Sequence, residues 1–267
     1  MAPQMPSAAV LVLHGGRARG TEPPPPGLLN LPGLRMWPFI RSLVRATGER
    51  ATGERAAGEG AAGESATRER APGEPATGEH RGDRTGPVLV RRVRYGHRGW
   101  NGERDDAFHD AVQALDELQD EAGDLPVILL GHSMGARAAL RAGGHPLVRG
   151  VVGLAPWCPP GDPVTQLAGR DVVLLHSTRD RVTSPQATQS LATRARRAGA
   201  RTCLITVRGS DHAMIRRAPA WHRTTTALVT GLLGLTPVPH PVAEVLRLPV
   251  SAEATAGTLD FDGLPAR

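Results

Sequence analysis

Short apolar runs alternate with amphipathic segments along most of this chain. Runs of this length, rich in valine and leucine with little polar interruption, are typical of strands buried on both faces. The predicted strands are Ala8–Leu13, Pro87–Arg94, Pro126–Leu130, Gly150–Ala155, Asp171–His176 and Arg201–Val207. Because helical patterns separate them, the strands are expected to be parallel and joined by right-handed crossovers.

The intervening segments have the period of amphipathic helices. The predicted helices are Trp37–Ala46, Glu103–Ala122, Met134–Ala142, Ser184–Ala198 and Pro219–Leu233. The second is the clearest, because Phe108, Ala111 and Leu115 fall on one stripe. The fourth has a good start signal, with Ser184 as N-cap and Pro185 at the first helical position.

One segment has neither the pattern of a strand nor the period of a helix. Residues 46–80 repeat an imperfect "ATGER" pentad, in which glycine disfavours regular structure and few side chains could enter a core. We therefore predict that residues 1–45 begin an α/β domain, that 46–86 are a disordered low-complexity insert, and that 87–236 complete the domain. Residues 237–267 are predicted to be a proline-rich, mostly irregular tail.

Composition excludes several classes of function. The net charge is +6, but all 32 basic residues are arginines scattered along the chain, which argues against nucleic-acid binding. The absence of lysine removes P-loop and Schiff-base chemistry. No apolar run is long enough for a signal sequence or a membrane span, so a cytoplasmic protein without membrane contact is expected. Cys158 and Cys203 are expected to be free thiols.

Chemistry is concentrated first in "GHSMG", which lies between a predicted strand and a predicted helix. Gly131 and Gly135 remove side chains that would collide where the strand meets the helix, and Ser133 lies at the apex. A serine in this position can act as a nucleophile. The N–H of Met134 then points to where an oxyanion would form.

A nucleophilic serine needs a base and an acid. His212 in "GSDHAMI" follows the last predicted strand and is the candidate general base. Two acids are candidates. Asp211 is adjacent to His212, but sequence neighbours rarely point their side chains at each other. Asp180 in "STRDRVTSP" follows the preceding strand and is therefore preferred. The alternative is that Asp180 only forms a salt bridge with Arg179 or Arg181.

The order Ser133, Asp180, His212 resembles that of the α/β-hydrolase family. The resemblance covers residues 8–235 apart from the insert and rests on "LHGG", "GHSMG", "STRDRVTSP" and "GSDHAMI". It implies a three-layer α/β/α fold with a mostly parallel sheet, here of about six strands because the usual N-terminal edge strands have no counterpart. It also implies that Gly16 supplies a second oxyanion N–H. The short segment between Trp157 and Asp171 leaves no room for a cap domain.

The resemblance implies a serine esterase. Ser133 would attack the acyl carbonyl of a small-molecule ester or thioester, and water would release the acid, without cofactor or metal. Candidate substrate-binding residues near the carboxyl edge are Trp100, Asn101, His132 and Trp157, although Trp100 could instead face the core and anchor the following helix. Two alternatives remain: cofactor-free haloperoxidase or perhydrolase chemistry on the same residues, and a catalytically silent binding protein.

Overall fold

Seven parallel strands form the centre of the protein. The computed structural model describes residues 5–48 and 86–264. The strands are β1 (Ala8–Leu13), β2 (Val88–Arg92), β3 (Val127–His132), β4 (Val148–Leu154), β5 (Asp171–Ser177), β6 (Arg201–Val207) and β7 (Thr258–Asp260). Their order across the sheet is β2-β1-β3-β4-β5-β6-β7, and every neighbouring pair is parallel.

Helices cover both faces of the sheet, as the sequence predicts. They are α1 (Leu31–Thr47), α2 (Asp106–Ala122), α3 (Met134–Ala142), α4 (Pro185–Arg197), α5 (Ala218–Leu232) and α6 (His240–Leu246). Residues of α1, α5 and α6 share one hydrophobic core with one face of the sheet, and those of α2, α3 and α4 share the other. Strand β1 therefore buries Leu11 on one side and Val10 on the other, which explains its uninterrupted apolar run.

Helix α1 begins earlier than its sequence pattern predicts. The side chain of Asn30 accepts a hydrogen bond from the N–H of Gly33 at 3.0 Å and caps the first turn. Pro32 is tolerated there because the N–H groups of the first turn have no partner within the helix. Pro38 lies in the helix interior. The two prolines and Gly33 obscured the first six residues of α1 in the sequence.

The C-terminal segment is more ordered than expected. Helix α6 places Val242, Val245 and Leu246 in the core, and β7 pairs with β6 through Leu204↔Thr258 and the two following residue pairs. The segment predicted to be a mostly irregular tail thus contains a helix and a strand that pack on the domain, and the sheet has a seventh strand. A three-residue strand is too short to show a period, so only its pairing with β6 defines it.

Several other expectations concern single segments or residues of the chain. The pentad insert falls almost entirely on residues 49–85, which lie outside the described residues. Residues 155–170 connect β4 directly to β5 and include only one short helical turn, so no cap domain is inserted there. None of the helices in the described part of the chain combines the length and apolar character needed to cross a membrane. Cys158 and Cys203 are free and buried, and burial raises the pKa of each thiol to about 12.

The turn from β3 to α3 is held against the end of β1. A Cβ atom on Gly135 would lie 2.4 Å from the carbonyl oxygen of Leu13, and one on Gly131 would lie 2.5 Å from Cα of Ala136. Both distances are too short for a carbon contact, so only glycine fits at these two positions. This close approach brings the start of α3 beside the segment that follows β1.

Replacing Gly135 by alanine tests this approach. Alanine normally stabilises a helix by about 1 kcal/mol relative to glycine. Here the change is expected to lower the free energy of unfolding by about 2 kcal/mol, because the backbone of β1 must move. Chemical denaturation of Gly135→Ala and of Gly96→Ala, whose added Cβ meets its nearest atom at 3.8 Å, provides the comparison. Equal or greater stability of Gly135→Ala would contradict the role given to this contact.

Candidate active site

Ser133 lies at the apex of the β3–α3 turn in an unusual backbone conformation. Its φ is 54° and its ψ is −117°, a combination that costs a residue with a side chain about 1–3 kcal/mol. Hydrogen bonds hold it there: its N–H donates to Leu154 O at 3.0 Å, and its carbonyl accepts from the N–H of Ala136 and Arg137. In this conformation the hydroxyl is within hydrogen-bond distance of His212.

Three of the side chains singled out in the sequence form one hydrogen-bonded line. His212 Nε2 lies 3.1 Å from Ser133 Oγ, and His212 Nδ1 lies 2.8 Å from Asp180 Oδ2. The alternative acid, Asp211, turns elsewhere and accepts a hydrogen bond from the N–H of Ile215. The geometry therefore favours Asp180 as the partner of His212.

The Asp180 carboxylate is fully buried and accepts hydrogen bonds on both oxygens. Oδ1 accepts from the backbone N–H of Val182 (2.8 Å) and Thr183 (3.0 Å). Oδ2 accepts from the Thr183 hydroxyl at 3.0 Å, as well as facing His212 at 2.8 Å and His176 at 3.2 Å. Burial raises the pKa of Asp180, but the hydrogen bonds from His176, His212 and the backbone outweigh it and hold that pKa far below its ordinary value. The group is an anion.

His132 supports the loop that carries His212. Its Nε2 donates to the carbonyl oxygen of His212 at 3.0 Å, and the two rings lie 4.9 Å apart. Burial, followed by the neighbouring His212, lowers the pKa of His132 to about 3, so the ring is neutral. Nδ1 has no hydrogen-bond partner among residues 5–48 and 86–264 and faces the backbone of Gly15. The ring, 6% exposed, is thus a buried neighbour of the site, whereas the sequence placed it among the substrate-binding residues.

The two candidate oxyanion donors belong to segments that touch each other. A Cβ atom on Gly16 would lie 2.4 Å from Cε of Met134 and 2.6 Å from the carbonyl oxygen of Arg98, so a side chain is excluded there. A Cβ on Gly15 would lie 3.4 Å from Cβ of Ser133. The Tyr95 hydroxyl donates to His14 O at 3.1 Å and helps to fix this segment. Gly16 therefore passes beside the start of α3.

The remaining candidates, Trp100, Asn101 and Trp157, are held by contacts with Arg137 and with neighbouring loops. Trp100 is 1% exposed, and the guanidinium of Arg137 lies 3.8 Å from its ring centroid and 4.6 Å from that of Trp157. The Asn101 amide bonds to both backbone groups of Gly20 and to Asp106. The burial of Trp100 and its contact with Arg137 support the alternative role, in which Trp100 packs in the core. The hydrogen bonds of Asn101 connect the loop after β2 to the loop that contains Gly20. Trp157 is half-buried.

Two side chains that contact Asp180 were not predicted from the sequence. They are His176 and Thr183. His176 carried a weak signal, since it is a polar residue at the end of the apolar strand β5. Arg137 was missed too; it forms a paired ion contact with Asp162, with two N–O distances of 2.7 Å. No cluster of three or more His, Cys, Asp or Glu side chains in the described ranges is arranged to hold a metal ion.

The buried, neutral His132 makes stability depend on pH. The unfolded chain binds a proton at His132 with a pKa of about 6.5, whereas the folded chain does so only near pH 3. This residue alone should therefore lower the free energy of unfolding by about 1.4 kcal/mol per unit as pH falls from 6.5 towards 3. His132→Gln, which keeps a donor for His212 O, should remove that slope in denaturation curves at pH 4.5 and 7. His240→Gln, at an exposed position, should keep it; an unchanged slope in His132→Gln would refute the assignment.

Comparisons with known proteins agree with this architecture. The family model described as serine aminopeptidase, S33 matches residues 80–172, which is less than half of the chain. A search of curated protein sequences finds no match. Many solved structures are similar.

Three of these structures are representative. An alpha-beta serine hydrolase homologue from Coxiella burnetii is 12% identical, with 84% of this chain and 86% of that chain covered and a TM-score of 0.51. A serine hydrolase without lid from Xanthomonas campestris is 14% identical (88% and 85% covered, TM-score 0.51). Est1E from Butyrivibrio proteoclasticus, solved with ferulic acid bound, is 10% identical (86% and 90% covered, TM-score 0.51). The chain has the α/β-hydrolase fold and resembles the serine hydrolases that share this fold.

Proposed function

We propose that the protein is a serine hydrolase that cleaves a carboxylic ester or thioester of a small to medium acyl group. The observation that carries the proposal is the continuous line Ser133–His212–Asp180, with N···O distances of 3.1 and 2.8 Å. A hydroxyl, an imidazole and a buried carboxylate in this order are the parts of an acyl-transfer site. We call these three residues the proposed triad.

The proposed reaction has two halves. In the first, His212 Nε2 takes the proton of Ser133 as Oγ bonds to the acyl carbon, and the same proton then goes to the leaving alcohol or thiol as the acyl–oxygen or acyl–sulfur bond breaks. In the second, His212 removes a proton from water, which attacks the acyl-enzyme, and returns it to Ser133 as the acid leaves. The buried anion Asp180 stabilises the imidazolium formed in each half.

The oxyanion of each tetrahedral intermediate needs donors beside Ser133. The N–H of Met134 lies at the start of α3, where the helix dipole adds positive potential. The contact between Gly16 and Met134 supports Gly16 as the second donor. Two such donors are expected to contribute several kcal/mol of transition-state stabilisation.

The loops that carry the proposed triad favour a substrate with an apolar group. Val182 and Ile215, on the loops that carry Asp180 and His212, have exposed fractions of 70% and 67%. No cap interrupts residues 155–170. Exposed apolar side chains beside a polar site suit an acyl chain or aromatic ring that needs little enclosure. Ferulic acid, the ligand of the structurally similar Est1E, is a ligand of this kind.

Substitution of the proposed triad tests the function. Ser133→Ala should reduce ester turnover to the uncatalysed background and abolish labelling by a fluorophosphonate probe, because the nucleophile is lost. Asp180→Asn should lower kcat by about 10³–10⁴-fold, since the imidazolium loses its counter-charge. Turnover of a p-nitrophenyl ester provides the measurement.

Asp211→Asn is the matched control, because it changes the neighbouring carboxylate that faces Ile215. It should leave kcat within about twofold of the unmodified protein, as a surface substitution away from the reacting atoms does. A larger loss in Asp211→Asn than in Asp180→Asn would refute the choice of acid. A folded protein that resists the fluorophosphonate probe would refute the nucleophile and leave a binding protein.

The substrate class requires a panel. We expect p-nitrophenyl esters of short and medium acyl length, thioesters and feruloyl esters to be turned over faster than aminoacyl p-nitroanilides, because an amide leaving group is poorer. Faster cleavage of the anilides would favour a peptidase. Peracid formation with hydrogen peroxide that exceeds hydrolysis would favour the perhydrolase alternative.

A further inference from the structure

A second histidine contacts the carboxylate of Asp180 from inside the protein. His176, at the end of β5, is 1% exposed, and its Nε2 lies 3.2 Å from Asp180 Oδ2. The same oxygen receives His212 Nδ1 at 2.8 Å. Asp180 is therefore held between two imidazoles, one that reaches Ser133 and one that reaches the core.

The hydrogen-bond partners of His176 fix its proton. Nε2 faces two oxygens, Asp180 Oδ2 at 3.2 Å and the Thr183 hydroxyl at 3.3 Å, and Thr183 gives its own hydroxyl proton to Asp180. A carboxylate only accepts, so the proton on this side of the His176 ring lies on Nε2. The Nδ1 atom then accepts from the hydroxyl of Thr188 at 2.8 Å. Cys158 Sγ lies 3.8 Å from the same hydroxyl and can donate to it. Every donor in this buried chain therefore points towards Asp180.

Packing alone does not account for a histidine at this position. Val172 and Leu174 occupy the same face of β5 and are fully buried apolar residues. A polar ring in their row loses hydration, and it is favourable only where hydrogen bonds replace the water. Both nitrogens of His176 have polar partners: Nε2 faces Asp180 and the Thr183 hydroxyl, and Nδ1 faces the Thr188 hydroxyl.

We propose that His176 is a positioning residue of the same site: its Nε2–H holds Asp180 Oδ2 in line with His212 and keeps the proton of the imidazolium on His212. This inference rests on the proposed function. An oxygen that already accepts from His176 and from the Thr183 hydroxyl has less affinity for a further proton. His212 therefore keeps its Nδ1–H when it becomes charged, and the hydrogen bond at 2.8 Å keeps its geometry.

Two amide substitutions separate the hydrogen bond from the packing. In His176→Gln the amide reaches about as far as Nε2 and can still donate to Asp180. In His176→Asn the shorter amide reaches only as far as Nδ1, so it keeps Thr188 and loses Asp180. The Asn variant should lower kcat for the best ester by about 10-fold or more with KM nearly unchanged, because misplaced reacting groups slow the chemical step. The Gln variant should retain most of the activity.

A readout that does not need turnover makes the test independent of the proposed function. The His212 Nδ1–H should give a far-downfield proton NMR resonance, assigned by its loss in His212→Gln. This resonance should broaden or disappear in His176→Asn and persist in His176→Gln. Leu174→Ala, at a buried position on the same face of β5, controls for lost stability and should lower Tm while keeping the resonance.

Each outcome decides the proposal. It is overturned if folded His176→Asn keeps both kcat and the resonance, or if His176→Gln loses as much as His176→Asn. Should His176→Asn fail to fold, Thr188→Val replaces it, because this variant removes the partner of His176 Nδ1. Thr188→Val should weaken the resonance, and an unchanged resonance would overturn the proposal. If the variants show these NMR effects but the wild-type protein is not labelled at Ser133, the positioning of Asp180 is supported and the proposed hydrolase function is refuted.

Discussion

The site depends on the close approach between the start of α3 and the end of β1. With glycine at position 135, the backbone of α3 rests on the carbonyl oxygens of Leu13 and His14 with no side chain between them. That contact places Ser133, Met134 and Gly16 beside one another although 117 positions separate 16 from 133 in the numbering. The strained backbone of Ser133 is stable because both of its peptide groups are hydrogen-bonded. The packing of β1, β3 and α3 thus offsets the backbone strain that orients the Ser133 hydroxyl.

A buried charge is the second constraint. The Asp180 side chain is fully shielded from solvent, where an unpaired carboxylate would be strongly destabilising. Two backbone N–H groups, the Thr183 hydroxyl and two imidazoles compensate it. Among the side chains that contact Asp180, His212 is the most exposed, with 16% of its side chain accessible, and it faces Ser133. The network is therefore rigid at its core and open on the side where a substrate would arrive.

Local patterns predicted the elements whose formation is local. Strands β1 and β6 and helix α3 have the bounds that their apolar runs and alanine-rich sequence indicate. The partners of His212 were predictable because parallel strands end at one edge of the sheet, which brings the loops after β3, β5 and β6 together. Strand β7 and the inward contact of His176 depend on pairing between distant segments, and a single sequence carries little trace of them. From sequence, Trp100 suits a substrate contact or the core equally well; its burial and the Arg137 guanidinium on its ring are tertiary features that a single sequence does not show.

The arrangement around Arg137 has a consequence for how ligands meet the protein. Its guanidinium lies on Trp100 and Trp157 and forms a paired contact with Asp162, so the segment after β4 is fastened to α3. Enzymes with a mobile cap must order it each time a ligand enters, at a cost in conformational entropy. Here the segment after β4 is already fastened to α3, so under the proposed function a ligand would meet a segment that needs no ordering. Affinity should then depend on how well the ligand fits that segment, and the rate of entry on diffusion rather than on the opening of a gate.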